Sequence, residues 1–290
     1  MVFRIIRSMV EGTHLAVYAS IKPGCYHRFS FDAQARTLVS NTISIIEHLY
    51  KLSEYGEKVR KGETALSHNY VSQTIARALR DAYRTCGYVH PSLLIPQLML
   101  SFALSHSNVD SVLQKPVVFK KSLDLVLETD KWSDIRLIID ALKSVYRNDM
   151  YDHLVSTGFT QLGGVMGNYR LRDLFRTLGS RWVGFNILDT IEFRLVENVA
   201  KFVKYVKEYR NIENAIIAIY LDLIRNRVPK ELETLVEKAY IHGLMSTREG
   251  ARTLYELDQS LKKNNVSFNE YIEYLSNIVS IAIYEGTSIT

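Results

Sequence analysis

Cysteine and proline are both scarce in this chain of 290 residues. The two cysteines, Cys25 and Cys86, do not form a C-x-x-C pair, which excludes a disulfide scaffold and a cysteine-rich zinc module and fits a reducing cytoplasm. An excess of one charge is missing too: 36 Lys and Arg face 31 Asp and Glu, giving +5 with no long block of like sign. No Arg-rich strip, zinc-finger spacing or RNA-binding aromatic motif is present, so nucleic acid is not an expected partner. The longest apolar runs, such as "NAIIAIYLDLI", fall short of the roughly 20 residues that a membrane span needs. In the opening "MVFRIIRSMVEGTH", Glu11, Gly12 and His14 interrupt any signal-peptide core. These absences predict a soluble, cytoplasmic protein with no membrane partner. Eight histidines are present, yet none forms H-E-x-x-H, and no G-x-S-x-G elbow appears. Zinc peptidases and nucleophile-elbow hydrolases therefore lack support.

What the chain does have is apolar residues at helical spacing between its five prolines, Pro23, Pro91, Pro96, Pro116 and Pro229. With no internal repeat and no Pro/Ser-rich linker, the expected fold is all-α: a single multi-helix, bundle-like domain over 1–290 with about ten or more helices. Helices are expected at about 3–20, 33–55, 67–86, 110–128, 131–147, 170–209 with a break near Gly184, 211–227 and 229–242. Another starts at Pro91, where the missing N–H costs little, and Pro96 predicts a kink in it. Ser246 with Glu249, and Ser267 with Glu270, have capping-box spacing and place two further helix starts. The second of these helices carries an apolar stripe from Phe268 through Ile283.

Two stretches break the helical texture. In "STGFTQLGGVMGNYR", residues 156–170, four glycines predict an irregular loop. It does not read as a phosphate loop, because Gly158 and Gly163 are followed by Gly164 and Val165 instead of Lys and Ser or Thr. The other stretch is "SIKPGCYHRFSFD", residues 20–32. Pro23 and Gly24 end the first helix there, and Lys22, His27 and Arg28 are placed to converge on phosphate oxygens. The plainer alternative is a corner between helices, with solvated charges and a capping Asp32.

The stretch "ASIKPGCYHRFSFD" resembles the K-P-G-N-V-x-R-x-x-D segment of the triphosphoribosyl-dephospho-coenzyme A synthase family, in its divergent archaeal-type branch. "CGYVHPSLLIPQLML" is similar to the family's G-x-N-T-H-x-G segment, with His90 at its histidine, and "VPKELETLVEKAY" loosely matches a basic segment through Lys238. "LYELDQSLKKNNVSFNEYIEYLSNIVSIAIYEG" aligns without gaps on the L-x-x-L-D-x-x-L and N-P-G-x-x-A-D-L segments, with Glu273 at the aspartate position. The four echoes keep their order and cover most of the chain. The sequence departs from the family at Ala16, at Tyr88 and Val89, at Ser92 and in "SFNEYIE".

The resemblance implies an all-α enzyme that transfers the triphosphoribosyl group of ATP to 3′-dephospho-coenzyme A and releases adenine. It implies ATP and magnesium as cofactors and dephospho-coenzyme A or a related small molecule as partner. It also implies roles for particular residues: Lys22, Gly24, His27, Arg28 and Lys238 on the phosphates, His90 and Glu273 in catalysis, and Asp32 or Glu273 on the metal. The departures raise an alternative, a catalytically impaired member of that family that binds a nucleotide or another protein.

Overall fold

The computed structural model describes residues 1–30, 32–128 and 131–287. Among them are fifteen α-helices and no strand, packed in one body. They are Val2–Tyr18 (α1), Ala33–Ser44 (α2), Ile46–Arg60 (α3), His68–Cys86 (α4), Pro91–Ser107 (α5), Pro116–Leu127 (α6), Trp132–Ser144 (α7) and Asn148–Ser156 (α8). The remainder are Gln161–Gly167 (α9), Leu171–Gly179 (α10), Arg194–Tyr209 (α11), Ile212–Ile224 (α12), Glu233–Ile241 (α13), Arg248–Lys263 (α14) and Tyr271–Tyr284 (α15). Short 3₁₀ turns lie between several of them, the longest at Val183–Leu188.

Two helices form the spine. In α5 every residue from Pro91 to Ser105 is buried, and in α15 every residue but Glu273 and Ile283. A helix apolar all round has no solvent face, so both sit inside the bundle. α15 packs on α1, α5, α11, α12 and the Val183–Leu188 turn. Its approach to α1 depends on Gly12, where a Cβ would stand 2.5 Å from the backbone N and Cα of Ser280.

Several expected boundaries move, each for a local reason. The stretch 33–55 is two helices, because the chain turns at Ile45. The helix expected from 110 begins only at Pro116, with that proline in its first turn, where the lost N–H is harmless. Both capping boxes fail. α14 is capped by Thr247, whose hydroxyl accepts from the Gly250 N–H at 2.9 Å, and α15 starts at Tyr271 without a side-chain cap. The glycine-rich stretch 156–170, expected as an irregular loop, is corrected in its middle, where Gln161–Gly167 is helical, while 157–160 and 168–170 stay outside the helices. Thr160 accepts from the Gly163 N–H at 3.1 Å to start α9, and Gly164 lets the helix lie directly on Trp132, whose ring a Cβ there would meet at 2.1 Å.

No described helix is long and apolar enough to cross a membrane.

Candidate functional site

The residues singled out in the sequence fall into two separate places. The first is the K-P-G corner. Lys22 is fully buried, and its Nζ donates to the carbonyls of Val17 (3.2 Å) and Ala19 (3.3 Å) at the end of α1. Burial brings this amine down to about 8, with neighbouring Cys25 and Glu213 opposing the shift. Gly24 adopts φ +72, a left-handed conformation that favours glycine, with its N–H donating to Asp258 Oδ1 at 2.9 Å and its carbonyl accepting from the Phe268 N–H at 2.7 Å. His27 is buried, and its Nε2 lies 3.7 Å from Asp258 Oδ2, beyond hydrogen-bond reach. Arg28 donates through Nε to the Tyr18 carbonyl at 3.2 Å and pairs through a terminal nitrogen with Glu213.

Asp258 holds this corner on α14. It is 1% exposed, and burial alone would raise its carboxyl. His27, Lys262 at 2.6 Å and the Gly24 N–H outweigh that cost and hold it at about 2. The corner is thus a packed joint between the end of α1, α12 and α14. Lys22, Gly24 and Arg28 bond to backbone groups of neighbouring residues or to fixed carboxylates, and His27 stands beside Asp258. None of the four lines the cavities of about 770, 240 and 150 Å³. Asp32 caps α2 through its Oδ1, which accepts from the Gln34 N–H at 2.8 Å, as the plainer alternative expects. Lys238 is exposed on α13 and lines none of these cavities either.

The second place brings His90 and Glu273 together, although 183 positions separate them in the chain. His90 is the residue before Pro91 at the head of α5, and Glu273 is in the first turn of α15. Asn41 on α2 fixes the loop between α4 and α5. Its Oδ1 accepts from the His90 N–H at 2.8 Å, and its Nδ2 donates to the Tyr88 carbonyl at 2.9 Å. His90 Nδ1 then meets Glu273 Oε1 at 2.8 Å, and His90 Nε2 meets Thr37 Oγ1 at 2.9 Å. The Thr37 hydroxyl donates its proton to the Gln34 carbonyl at 2.7 Å, so its oxygen lone pairs are what face Nε2. Glu273 accepts a further bond from the Ser92 hydroxyl. Burial pushes the Glu273 carboxyl up, but His90, Ser92 and the charge of Arg147 more than offset it, so it lies below its ordinary value. A carboxylate only accepts, so Nδ1 is the donor on that side and Nε2 faces a hydroxyl. Thr37, His90 and Glu273 form a hydroxyl–imidazole–carboxylate run.

His90 and Glu273 border a cavity of about 240 Å³, whose lining does not include Thr37. Tyr26, Tyr88 and Trp182 give it aromatic walls, and Arg147, Glu270 and Asn269 supply further polar groups. Arg147 is clamped: Nε and Nη2 donate to the two Asp149 oxygens at 2.9 and 2.8 Å, and Nη1 donates to the Val89 carbonyl at 3.0 Å. It therefore braces the His90 loop and projects charge toward Glu273 without offering a free fork.

The sequence pointed to His90 and Glu273 through the resemblance. It gave no sign of Thr37, Asn41, Arg147 or Trp182, whose roles arise from helices far apart in the chain. Asp258 was more accessible, since a carboxylate four residues after Leu254 and three before Leu261 falls on the buried face of its helix.

No metal centre is built from these groups. Asp32 caps a helix and Glu273 is held by His90 and Ser92. Among the described residues, no three His, Cys, Asp or Glu side chains cluster as metal ligands. The chain matches no protein-family model, no curated protein and no solved structure.

Proposed function

We propose that the protein is a transferase-like enzyme that activates a hydroxyl of a nucleotide-type substrate at His90, with Glu273 orienting the imidazole. The observation that carries this reading is the His90–Glu273 pair at the wall of an aromatic-sided cavity, with the Thr37 hydroxyl on the other ring nitrogen. A carboxylate on Nδ1 fixes the tautomer and supports the charge that develops when Nε2 takes a proton. Thr37 marks the place of a hydroxyl on that nitrogen. At about 240 Å³ the cavity is smaller than the roughly 300 Å³ at the low end of drug-sized pockets, so it suits one ring of a substrate. A flat ring stacks well on Tyr26, Tyr88 or Trp182.

Among such reactions, transfer of the triphosphoribosyl group of ATP to 3′-dephospho-coenzyme A, with adenine released, is the one that the resemblance implies. Magnesium enters by the resemblance alone, and no step is assigned to it. The test is adenine release from ATP, magnesium and dephospho-coenzyme A, measured against a boiled control. His90→Ala and Glu273→Gln are each expected to lower the rate about 10²-fold or more, with helical content unchanged. No release by the wild type across several metals and temperatures overturns the reading.

A second reading, a catalytically impaired protein that binds a nucleotide or another protein, is favoured by the K-P-G corner. Lys22, Gly24 and Arg28 are bonded within the fold, where the resemblance would have them on phosphates. Thermal shifts with ATP and coenzyme A analogues, in the absence of turnover, select this reading over the first.

A further inference from the structure

The wall behind the His90 cavity has a second face. Trp182 and Glu273 line the first cavity, whereas the adjoining Val183, Tyr271 and Tyr274 line another of about 770 Å³. Six charged side chains border this larger groove: Arg176, Arg194, Arg227, Asp189, Glu192 and Asp222. Their formal charges cancel, but their bonding is unequal. Asp222 accepts from Tyr205 at 2.7 Å and Tyr240 at 2.9 Å and pairs with Lys201 at 2.7 Å. Arg194 pairs with Glu192 at 2.7 Å. Arg176, in the last turn of α10, and Arg227, at the end of the 3₁₀ turn after α12, have no side-chain hydrogen bond or ion pair among the described residues. Of the carboxylates in the lining, Asp189 alone has no cation partner among the described residues, and its Oδ1 accepts from the Ile191 N–H at 2.9 Å. The charge of Arg227 also acts on Glu270, in the wall of the other cavity.

A buried donor adds to the two free guanidinium groups. Tyr274 is only 5% exposed, and its hydroxyl accepts from Asn198 Nδ2 at 3.0 Å. The hydroxyl's own proton has no acceptor among the described residues, which is costly for a buried group unless something in the cavity takes it. Burial pushes the phenol up to about 12, so it remains a donor at neutral pH.

We propose that this groove binds a phosphorylated small molecule, with Arg176 and Arg227 on its phosphate oxygens and the Tyr274 hydroxyl donating to it. Guanidinium forks match phosphate oxygens in shape and charge, and the groove's volume lies in the usual range for small-molecule sites. The proposal goes beyond the His90 reading and does not depend on it, because its test reads binding without turnover.

Inorganic triphosphate, titrated calorimetrically at low salt, is the probe. Saturable binding at one site is expected, weakened at least tenfold by Arg176→Ala combined with Arg227→Ala. Both arginines are exposed and unpaired, so this variant keeps the fold. Asp189→Asn retains an acceptor for the Ile191 N–H while removing the opposing charge, and tighter binding is expected from it. Arg36→Ala, an exposed arginine on α2, is expected to bind as the wild type does. Absence of saturable binding, an affinity in the double variant within threefold of the wild type, or a loss in Arg36→Ala equal to that in the double variant would each overturn the proposal.

Discussion

The Lys22 side chain enters the core beside the end of α1, where two carbonyls that the helix leaves unpaired receive its ammonium. An amine so enclosed gives up its proton at about 8, against 10.5 for the ordinary lysine value. Between those values the folded protein binds fewer protons than the unfolded chain, so stability rises with pH across that window and is flat below it. The shift corresponds to about 3 kcal/mol in total. Lys22→Met fills similar volume without a titrating group. Urea midpoints measured from pH 7 to pH 11 are therefore expected to move in favour of the wild type, relative to the variant, by about that amount between pH 8 and 10.5. Parallel curves would show that the amine is solvated. The K-P-G stretch gave no warning of this burial, because the acceptors for Lys22 are backbone carbonyls, and backbone groups leave no mark in the residue pattern. His90 and Glu273 were reached by contrast through the resemblance, and His90 also stands out in the sequence beside Pro91, where a helix start is marked.

At the scale of elements, helix existence follows apolar periodicity, while helix ends follow short-range bonds that periodicity cannot see. Thr247 replaces Ser246 as the cap of α14 because only its hydroxyl meets the Gly250 N–H. At α15 the turn before the helix is held from outside by the Phe268 N–H on the Gly24 carbonyl, and the Ser267 hydroxyl accepts from the Asn269 N–H at 3.4 Å instead of the Glu270 N–H that a capping box would need. Close helix contact is likewise hidden in a glycine whose neighbour is remote in sequence. Gly12→Ala would set a methyl 2.5 Å from the Ser280 backbone, and since backbone cannot rotate aside, α1 and α15 must separate. The expected loss is about 3 kcal/mol or more, at the upper end for overpacking. Gly62→Ala, where the backbone is left-handed but nothing lies within 4 Å, is expected to cost only about 1–2 kcal/mol. Denaturant midpoints for the pair separate packing from backbone strain, and equal losses would remove the close-approach argument.

Across the whole molecule, α15 connects the fold to both cavities. Its first turn carries Glu273 to the His90 cavity and Tyr271 and Tyr274 to the arginine groove, and its length is enclosed by α1, α5, α11 and α12. The apolar stripe from Phe268 to Ile283 was plain in the sequence, but a stripe says only that one face is buried. That nearly every side of this helix is buried became clear only once helices from both halves of the chain had closed around it. Removing such an element does not trim a domain; it leaves the apolar surfaces of four helices facing water at once. The fragment 1–266 lacks α15 and also the Phe268 N–H that anchors the Gly24 carbonyl. Its other helices retain their local propensities, so far-ultraviolet dichroism is expected to stay strongly helical. Cooperative thermal melting is expected to disappear, and binding of a hydrophobic dye to rise, the signature of a collapsed chain without fixed packing. A cooperative melt in the fragment would mean that the remaining helices hold a core of their own, and that α15 serves the two cavities rather than the stability of the bundle.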